Sequence, residues 1–314
     1  MEQHQKKVAI VVPVYNMEEF LPECIDSILS QTYTNFDIFA VDDASTDKSL
    51  EILCHYQEKD SRVVVLRREN NGGLSAARNT ALDEIEKRQI YDFISFCDSD
   101  DAIAPDMIKE LLFASISENA DVASCCYHRT NYNKKIQEKF TNYCSFGPET
   151  FVEQIFSLGN WKKNRGSGGF SCLRIFKATT IEGLRFYKEK NLSEDEVFCM
   201  EVATRSHKIT HVPKALYFYR YRENSLSQAK AFSRKLVVSR INTLPFAEKI
   251  SHYALILNAC AIVKKLKNNS RLLSSDLLAS LHPLIKEGYS IHLISRKEFF
   301  RFQLHYLLSK FKIK

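Results

Sequence analysis

Apolar positions in the first 110 residues change their spacing from one segment to the next. Residues 7–14 form an almost unbroken apolar run rich in valine, which is typical of a strand buried on both faces. In residues 18–31, apolar side chains recur every three or four positions, which predicts an amphipathic helix. The chain therefore opens with a buried strand followed by a helix.

The same alternation continues along the chain. Further strands and helices are predicted in the order strand 36–41, helix 45–56, strand 62–66, helix 75–87, strand 91–97 and a helix opened by Pro105. Strand-like patterns return at 121–128 and 208–219. Elements that alternate at this spacing are joined by right-handed crossovers, so the pattern predicts an α/β fold with a mostly parallel central sheet.

Three predicted strands end in polar residues. These tips are residues 13–16, 42–43 and 98–101. In open α/β sheets, ligands bind beyond the carboxyl ends of the strands. We therefore expect the three tips to meet at one crevice and to form a binding site there.

The charge is divided unevenly along the chain. Residues 1–225 carry 28 Lys and Arg against 34 Asp and Glu, whereas residues 226–314 carry 16 against 4, for an overall net charge of +6. The tail is also helical in composition. We predict an α/β domain over residues 1–225 and a basic α-helical region over residues 226–314.

Several classes of protein are disfavoured by the composition. No apolar run reaches the roughly 18–20 residues that a membrane-spanning helix needs, and the first residues lack the pattern of a signal peptide. The nine cysteines contain no CxxC pair, so we expect reduced, buried thiols rather than disulfides or a zinc site. These features predict a cytoplasmic protein.

Asp98 and Asp100 are candidates for a metal site, because two carboxylates one residue apart after a strand can share a hard divalent cation. The alternative is that they cap the following helix. Neither GxGxxG nor GxxxxGK[ST] occurs, so a bound nucleotide would have no glycine-rich phosphate loop. The acids at 194–196 have two interpretations as well, a solvated helix start or a general base.

The ordered motifs resemble those of inverting family 2 glycosyltransferases with the GT-A fold, of the type that builds bacterial cell-surface polysaccharide or lipooligosaccharide. The resemblance covers about residues 6–225. Its blocks are VAIVVPVYN at 8–16, AVDDASTDKS at 40–49, NGGLSAARN at 71–79, FCDSDDAIAP at 96–105, LSEDEVF at 192–198 and YFYRYRENSLS at 217–227. A related α/β sugar nucleotidyltransferase or a non-catalytic nucleotide-sugar protein is the alternative.

The resemblance implies a role for each matched position. The nucleotide would be bound by Pro13, Tyr15, Asp43, Arg78, Asp98 and Ser99; the metal, Mn²⁺ or Mg²⁺, by Asp98 and Asp100. Asp195 would be the general base, with Glu194 beside it. Arg174, Arg220, Arg222 and Trp161 are candidates for contacts with the diphosphate or the acceptor. Leu173 and Arg174 stand where many relatives carry an Asn-Lys pair.

The implied reaction moves a sugar from a nucleotide sugar, UDP-linked by expectation, to a hydroxyl of a cell-surface glycan or lipid-linked acceptor. No nucleic-acid partner is expected. Residues 296–314 predict a basic amphipathic helix, which favours an anionic membrane surface on the inner face of the cell membrane. Packing on the catalytic domain or on a second copy in a homodimer is the alternative. His207 and His211 are expected to be ordinary strand or surface residues rather than metal ligands.

Overall fold

A computed structural model of the chain describes residues 5–129, 144–156, 168–188, 194–222, 238, 240–266, 274–296, 298–300, 302–303 and 306. Its strands are β1 (Val8–Val14), β2 (Phe36–Asp42), β3 (Val63–Arg67), β4 (Phe93–Phe96), β5 (Ala102–Ile103), β6 (Val122–Arg129), β7 (Cys144–Phe146), β8 (Arg174–Lys177) and β9 (Ile209–Tyr219). The sequence predicted six of these strands to within about two residues. The short strands β5, β7 and β8 were not predicted.

The helices follow the strands along most of the chain. They are α1 (Leu21–Leu29), α2 (Ser49–Lys59), α3 (Leu74–Arg88), α4 (Met107–Ser117), α5 (Pro148–Phe156), α6 (Ala178–Ile181), α7 (Glu194–Arg205), α8 (Leu244–Ile250), α9 (His252–Leu266) and α10 (Ser275–Ser290). In the described part of the chain, none of these helices is long and apolar enough to cross a membrane.

The strands form one sheet in the order β3-β2-β1-β4-β8-β6-β9-β5, with β7 paired to β9. Strands β1 to β4 are mutually parallel, and β6 is parallel to β9. The short strand β8 lies antiparallel between β4 and β6, and β5 and β7 are antiparallel to β9. The predicted mostly parallel α/β sheet is confirmed.

The centre of the sheet is covered on both sides. Every residue of β1 is buried, as its apolar run predicts for a central parallel strand. The buried face of α1, with Leu21, Ile25 and Ile28, joins the same apolar cluster as Val8 and Val12. This packing holds the carboxyl ends of β1, β2 and β4 at one edge of the sheet.

Strand β9 is irregular beside β6. Cys125 pairs with Val212 and Cys126 with Ala215, so two residues of β9 are skipped between these pairs. One of the skipped residues is Pro213, which has no N–H to donate to the neighbouring strand and is therefore suited to a bulge. Beyond the bulge, β9 continues along β5 towards the loop after β4.

Two helices start later than predicted. Helix α1 begins at Leu21 rather than near residue 18, and α2 begins at Ser49 rather than at residue 45. The polar side chains in between bond across the two loops, and Asp47 also accepts the N–H of Ser49, the first residue of α2, at 2.9 Å. Asp47 accepts the N–H of Glu18 at 3.0 Å, and Glu18 accepts the N–H of Lys48 at 2.9 Å.

The chain divides into two compact units. The first, called the sheet unit here, comprises Met1–Gly147, Phe170–Lys188 and Arg205–Arg222. The second, the helical unit, comprises Pro148–Gly169, Glu189–Thr204 and Glu223–Lys314. The predicted domain boundary near residue 225 lies outside the described residues. The basic C-terminal region contributes helices α8 to α10, as its composition predicts.

Candidate functional site

The tips of β1 and β2 are tied together by hydrogen bonds. The N–H of Asp43 donates to the carbonyl of Val14 at 2.8 Å, and the N–H of Thr46 donates to the Asn16 side chain at 2.8 Å. Asn16 adopts a left-handed backbone with φ of 53°, a conformation that asparagine tolerates better than most residues. Tyr15 lies between these anchors with 43% of its surface exposed, so its ring is open to a ligand. Pro13 is buried within β1.

Asp43 is buried at the end of β2 and holds the loop before α3. Its carboxylate accepts the N–H groups of Gly72 at 3.0 Å and Gly73 at 2.7 Å, and it forms an ion pair with Arg68. Gly73 has a φ of +83°, which only glycine adopts without strain. The expected bond from Asp43 to a nucleotide base stays a prediction. Arg68, its ionic partner, was not singled out from the sequence.

Arg78 projects from α3 to the acid at the tip of β4. It is fully buried, and its Nη2 lies 2.8 Å from Oδ1 of Asp98. The guanidinium also lies over the ring of Phe186, 4.9 Å from the ring centroid. Phe186 itself is buried and packs edge-on against Phe96, so it belongs to the core.

The loop after β4 concentrates negative charge. Burial raises the pKa of Asp98, and the neighbouring Asp100 raises it further against the opposing effect of Arg78. Burial also raises the pKa of Asp101 well above its usual range, with added repulsion from the two other acids. Ser99, between these acids, is buried as well. Negative charge from neighbouring acids thus adds to burial in disfavouring the ionised forms of Asp98 and Asp101.

Asp101 is bonded to the end of β9. The hydroxyl of Tyr217 donates to one carboxylate oxygen at 2.7 Å, and the N–H of Arg220 donates to the other at 2.7 Å. The same Tyr217 hydroxyl accepts the N–H of Asp98 at 3.2 Å. Tyr217 is the first residue of the matching block at 217–227, but the resemblance implied no role for it.

Two arginines after β9 lie beside the acidic loop. Arg222 forms an ion pair of 2.5 Å with Asp100, and the Nε of Arg220 donates to the carbonyl of Asp100 at 2.9 Å. Both guanidiniums lie over the ring of Phe20, and Arg220 also pairs with Glu23. The sheet unit thus brings the predicted basic residues next to a predicted metal ligand.

The carboxylates of Asp98 and Asp100 are suitable ligands for a divalent cation. Carboxylate oxygens are the ligands that Mg²⁺ and Mn²⁺ prefer, and such ions are often held by one or two of them together with substrate phosphates. The loop acids place negative charge close together, and a bound cation would offset that charge. Within the described residues, no cluster of three or more His, Cys, Asp or Glu side chains forms a complete metal site.

Arg174 is in a different setting from the other candidate arginines. It is fully buried, and its Nη1 donates to the carbonyl of Phe170. Its charge and, to a greater extent, burial lower the pKa of His211 to about 3. His211 bonds to Ser124 at 2.9 Å and Cys126 at 3.4 Å inside the sheet, whereas His207 is exposed. A role for Arg174 at a diphosphate stays a prediction.

The acids of the LSEDEVF block lie at the start of α7 in the helical unit. Glu194 and Asp195 are half-buried, whereas Glu196 is buried. Glu196 pairs with Arg240 at 3.3 Å, and Arg240 also donates to the carbonyl of Ala261 at 3.2 Å. The three consecutive acids therefore differ in their surroundings, because Glu196 is buried and paired with Arg240 inside the helical unit. Trp161 and most of 296–314 lie outside the described residues.

Comparisons with known proteins agree with this architecture. The model of glycosyl transferase family 2 matches residues 9–181. Glycosyltransferase GlyA of Streptococcus pneumoniae is 34% identical over 230 residues, which cover 71% of this chain but only 32% of GlyA. The chain thus matches about a third of the length of that relative.

Solved structures show the same fold at low sequence identity. S. aureus TarS 1-349 in complex with UDP-GlcNAc superposes with a TM-score of 0.64 at 19% identity, covering 98% of this chain and 92% of that one. The mannosyltransferase PcManGT from Pyrobaculum calidifontis, in complex with GDP-Man and Mn²⁺, gives 0.59 at 16% identity, covering 99% and 89%. The expected GT-A fold is confirmed.

Proposed function

The chain belongs to glycosyl transferase family 2, and from that premise we propose that it is an inverting enzyme that uses a UDP-linked sugar. The acceptor is a hydroxyl of a cell-surface glycan or of a lipid-linked precursor. Its class is proposed from the resemblance to family members that build such glycans. A nucleotide-sugar donor is also supported by the two structural neighbours, one solved with UDP-GlcNAc and the other with GDP-Man.

One observation carries the proposal: the carboxyl ends of β1, β2 and β4 are neighbours in the sheet and present groups suited to a nucleotide diphosphate. The exposed ring of Tyr15 offers a stacking surface for a base. Asp98, paired with the buried Arg78, offers an oxygen to a ribose hydroxyl. Arg220 and Arg222 offer cations next to Asp100, where the diphosphate would lie.

The proposed reaction is a single displacement. Asp195 accepts the proton of the acceptor hydroxyl, and the oxygen of that hydroxyl forms a bond to the anomeric carbon of the donor. The bond from that carbon to the diphosphate oxygen breaks at the same time, and the nucleoside diphosphate leaves with the electron pair. Attack from the opposite face inverts the anomeric configuration, so an α-linked donor gives a β-glycoside.

Two groups would stabilise the leaving diphosphate. Arg222 or Arg220 would place a positive charge at the developing negative charge, an interaction that is strong where water is excluded. A Mg²⁺ or Mn²⁺ ion held by Asp98 and Asp100 would supply further positive charge at the same oxygens. Asp101 has both carboxylate oxygens engaged by Tyr217 and Arg220, so it is not proposed as a ligand.

The test is a donor screen. The full chain would be incubated with common UDP- and GDP-sugars and Mn²⁺, and the released nucleoside diphosphate would be measured. We expect release from one class of donor, its loss in excess EDTA and its recovery when Mn²⁺ is restored. No release from any donor would contradict the proposed function, and full release in EDTA would contradict the metal site.

A matched pair of variants makes the screen specific. Asp100→Ala should remove the response to Mn²⁺. Asp92→Ala should leave it unchanged, because Asp92 precedes β4 at the opposite end of the same strand and pairs with Lys6 on the surface. Equal loss in both variants would indicate general damage to the fold rather than loss of a ligand.

A further inference from the structure

Tyr217 makes an enclosed contact with the acidic loop, residues 98–101. Its side chain is fully buried in β9, and its hydroxyl lies between the backbone N–H of Asp98 and the carboxylate of Asp101. One hydroxyl thus accepts a hydrogen bond at the start of the Asp98–Asp101 loop and donates one at its end. The three residues join two segments that are 116 or more positions apart in the sequence.

We propose that Tyr217 and Asp101 form a clamp that positions Asp98 and Asp100 for a divalent cation and the nucleotide diphosphate. Tyr217 is a positioning residue here, since it contacts the loop that would hold the cation and the diphosphate and would not itself contact either of them. The inference rests on the proposed function. It extends that function by assigning the third acid of the loop to anchoring and by giving a role to a residue outside the predicted site.

The backbone around the clamp supports this role. Ala102 and Ile103 pair with Phe218 and Tyr217 as the short strand β5, directly after the acidic loop. The loop is therefore fixed to β9 by backbone pairing on one side and by the Tyr217 hydroxyl on the other. Of these two contacts with β9, the hydroxyl is the one that reaches back to Asp98, whose carboxylate is also held by Arg78, so loss of the hydroxyl should loosen the backbone of the loop while leaving the strand pair intact.

The clamp also joins the acidic loop to the basic segment. The second carboxylate oxygen of Asp101 accepts the N–H of Arg220, two residues before Arg222. Because this carboxylate binds both Tyr217 and Arg220, it fixes the position of the acidic loop relative to the arginines. We therefore expect loss of the clamp to weaken the affinity for a metal–nucleotide pair more than it weakens folding.

The test compares two Tyr→Phe variants of the full chain. Tyr217→Phe removes the hydroxyl of the clamp, and Tyr91→Phe removes another Tyr–Asp hydrogen bond, the 2.5 Å bond to Asp37 at the opposite end of the sheet. Mn²⁺ would be titrated in the presence of UDP and, separately, GDP, with free Mn²⁺ measured by electron paramagnetic resonance. Melting temperatures would be measured alongside.

Tyr217→Phe is expected to weaken Mn²⁺ binding roughly tenfold, the scale of one lost hydrogen bond. Tyr91→Phe should bind Mn²⁺ as the wild type does, even where its melting temperature falls equally. Wild-type Mn²⁺ affinity in a folded Tyr217→Phe variant would overturn the clamp alone. Failure of the wild type to bind Mn²⁺ with either nucleotide would overturn both the clamp and the proposed metal site, whereas the proposed sugar transfer is tested separately by nucleoside diphosphate release in the donor screen.

A second variant covers the case in which Tyr217→Phe does not fold. Asp101→Asn keeps one carbonyl oxygen as an acceptor but loses the charge and one of the two acceptor positions. We expect weaker Mn²⁺ binding in Asp101→Asn, and wild-type Mn²⁺ affinity in a folded Asp101→Asn variant would overturn the clamp. Where Tyr217→Phe does fold, adding it to Asp101→Asn should cause no further weakening. Independent, additive losses in the double variant would overturn the clamp, because residues that act as one unit are not additive.

Discussion

Two arginine–carboxylate ion pairs, one in the sheet unit and one in the helical unit, differ in the solvent exposure of their acid. In the sheet unit, Asp98 is 28% exposed in its side chain although the arginine that pairs with it is fully buried. In the helical unit, the side chains of Glu196 and Arg240 are only 10% and 6% exposed. An acid that keeps contact with solvent can exchange its partner for a ligand, whereas an enclosed pair is committed to holding its helices together.

The largest effect is expected at the acid next to the enclosed pair. Asp195→Asn should lower turnover by roughly 10²–10⁴-fold, the range of general acid–base catalysis, while UDP affinity stays unchanged. Steady-state kinetics and calorimetric UDP binding would measure the two quantities. Asp276→Asn is the matched control, an exposed acid in the first turn of α10 in the same unit. Near-normal turnover in Asp195→Asn would exclude it as the base.

Breaking the two ion pairs would test the comparison directly. Arg240→Met should lower the free energy of unfolding by about 3–5 kcal/mol, because Glu196 would be left buried without its arginine. Arg78→Met should cost less stability, since water reaches Asp98, but should weaken UDP binding. Urea unfolding and calorimetry would measure both variants. The comparison would fail if Arg240→Met weakened UDP binding as much as Arg78→Met.

A smaller effect is expected from the buried histidine of the sheet unit. The pKa of His211 is about 3 in the folded chain against an ordinary 6.5, so between these pH values the unfolded chain binds a proton that the folded chain excludes. This group therefore lowers the free energy of unfolding by about 1.4 kcal/mol for each pH unit below 6.5. Above pH 6.5 it contributes no pH dependence.

Urea unfolding at several pH values would measure that contribution. His211→Gln keeps an amide that can bond to Ser124 or Cys126 but does not titrate, so its stability should fall less steeply from pH 6.5 to 4.5. His207→Gln is the control, because His207 is exposed and lies just before β9, the strand that contains His211. If the free energy of unfolding of His211→Gln fell as steeply with pH as that of the wild type, His211 would not be the group responsible for this part of the pH dependence.

The sites that sequence reasoning reached are those formed by local pattern. The strand ends at Asp43 and Asp98 could be predicted because a parallel sheet brings consecutive strand tips to one edge. The pairing of Arg78 with Asp98 could not, since it depends on how α3 is rotated against the sheet. The helix starts near Glu18 and residue 45 were wrong because Glu18 and Asp47 bond across the two loops, although Asp47 also accepts the N–H of Ser49 at the start of α2.

The sequence by itself determined the class of the fold, the strand-tip acids and the family, because these depend on spacing along the chain. Only the tertiary structure decided which acids stay accessible and which anchor the loop or the core. Asp101 and Glu196 lie within two residues of predicted site residues, yet both are engaged by partners far away in the sequence. Contacts across such distances follow from the packing of strands and helices, which no local pattern records.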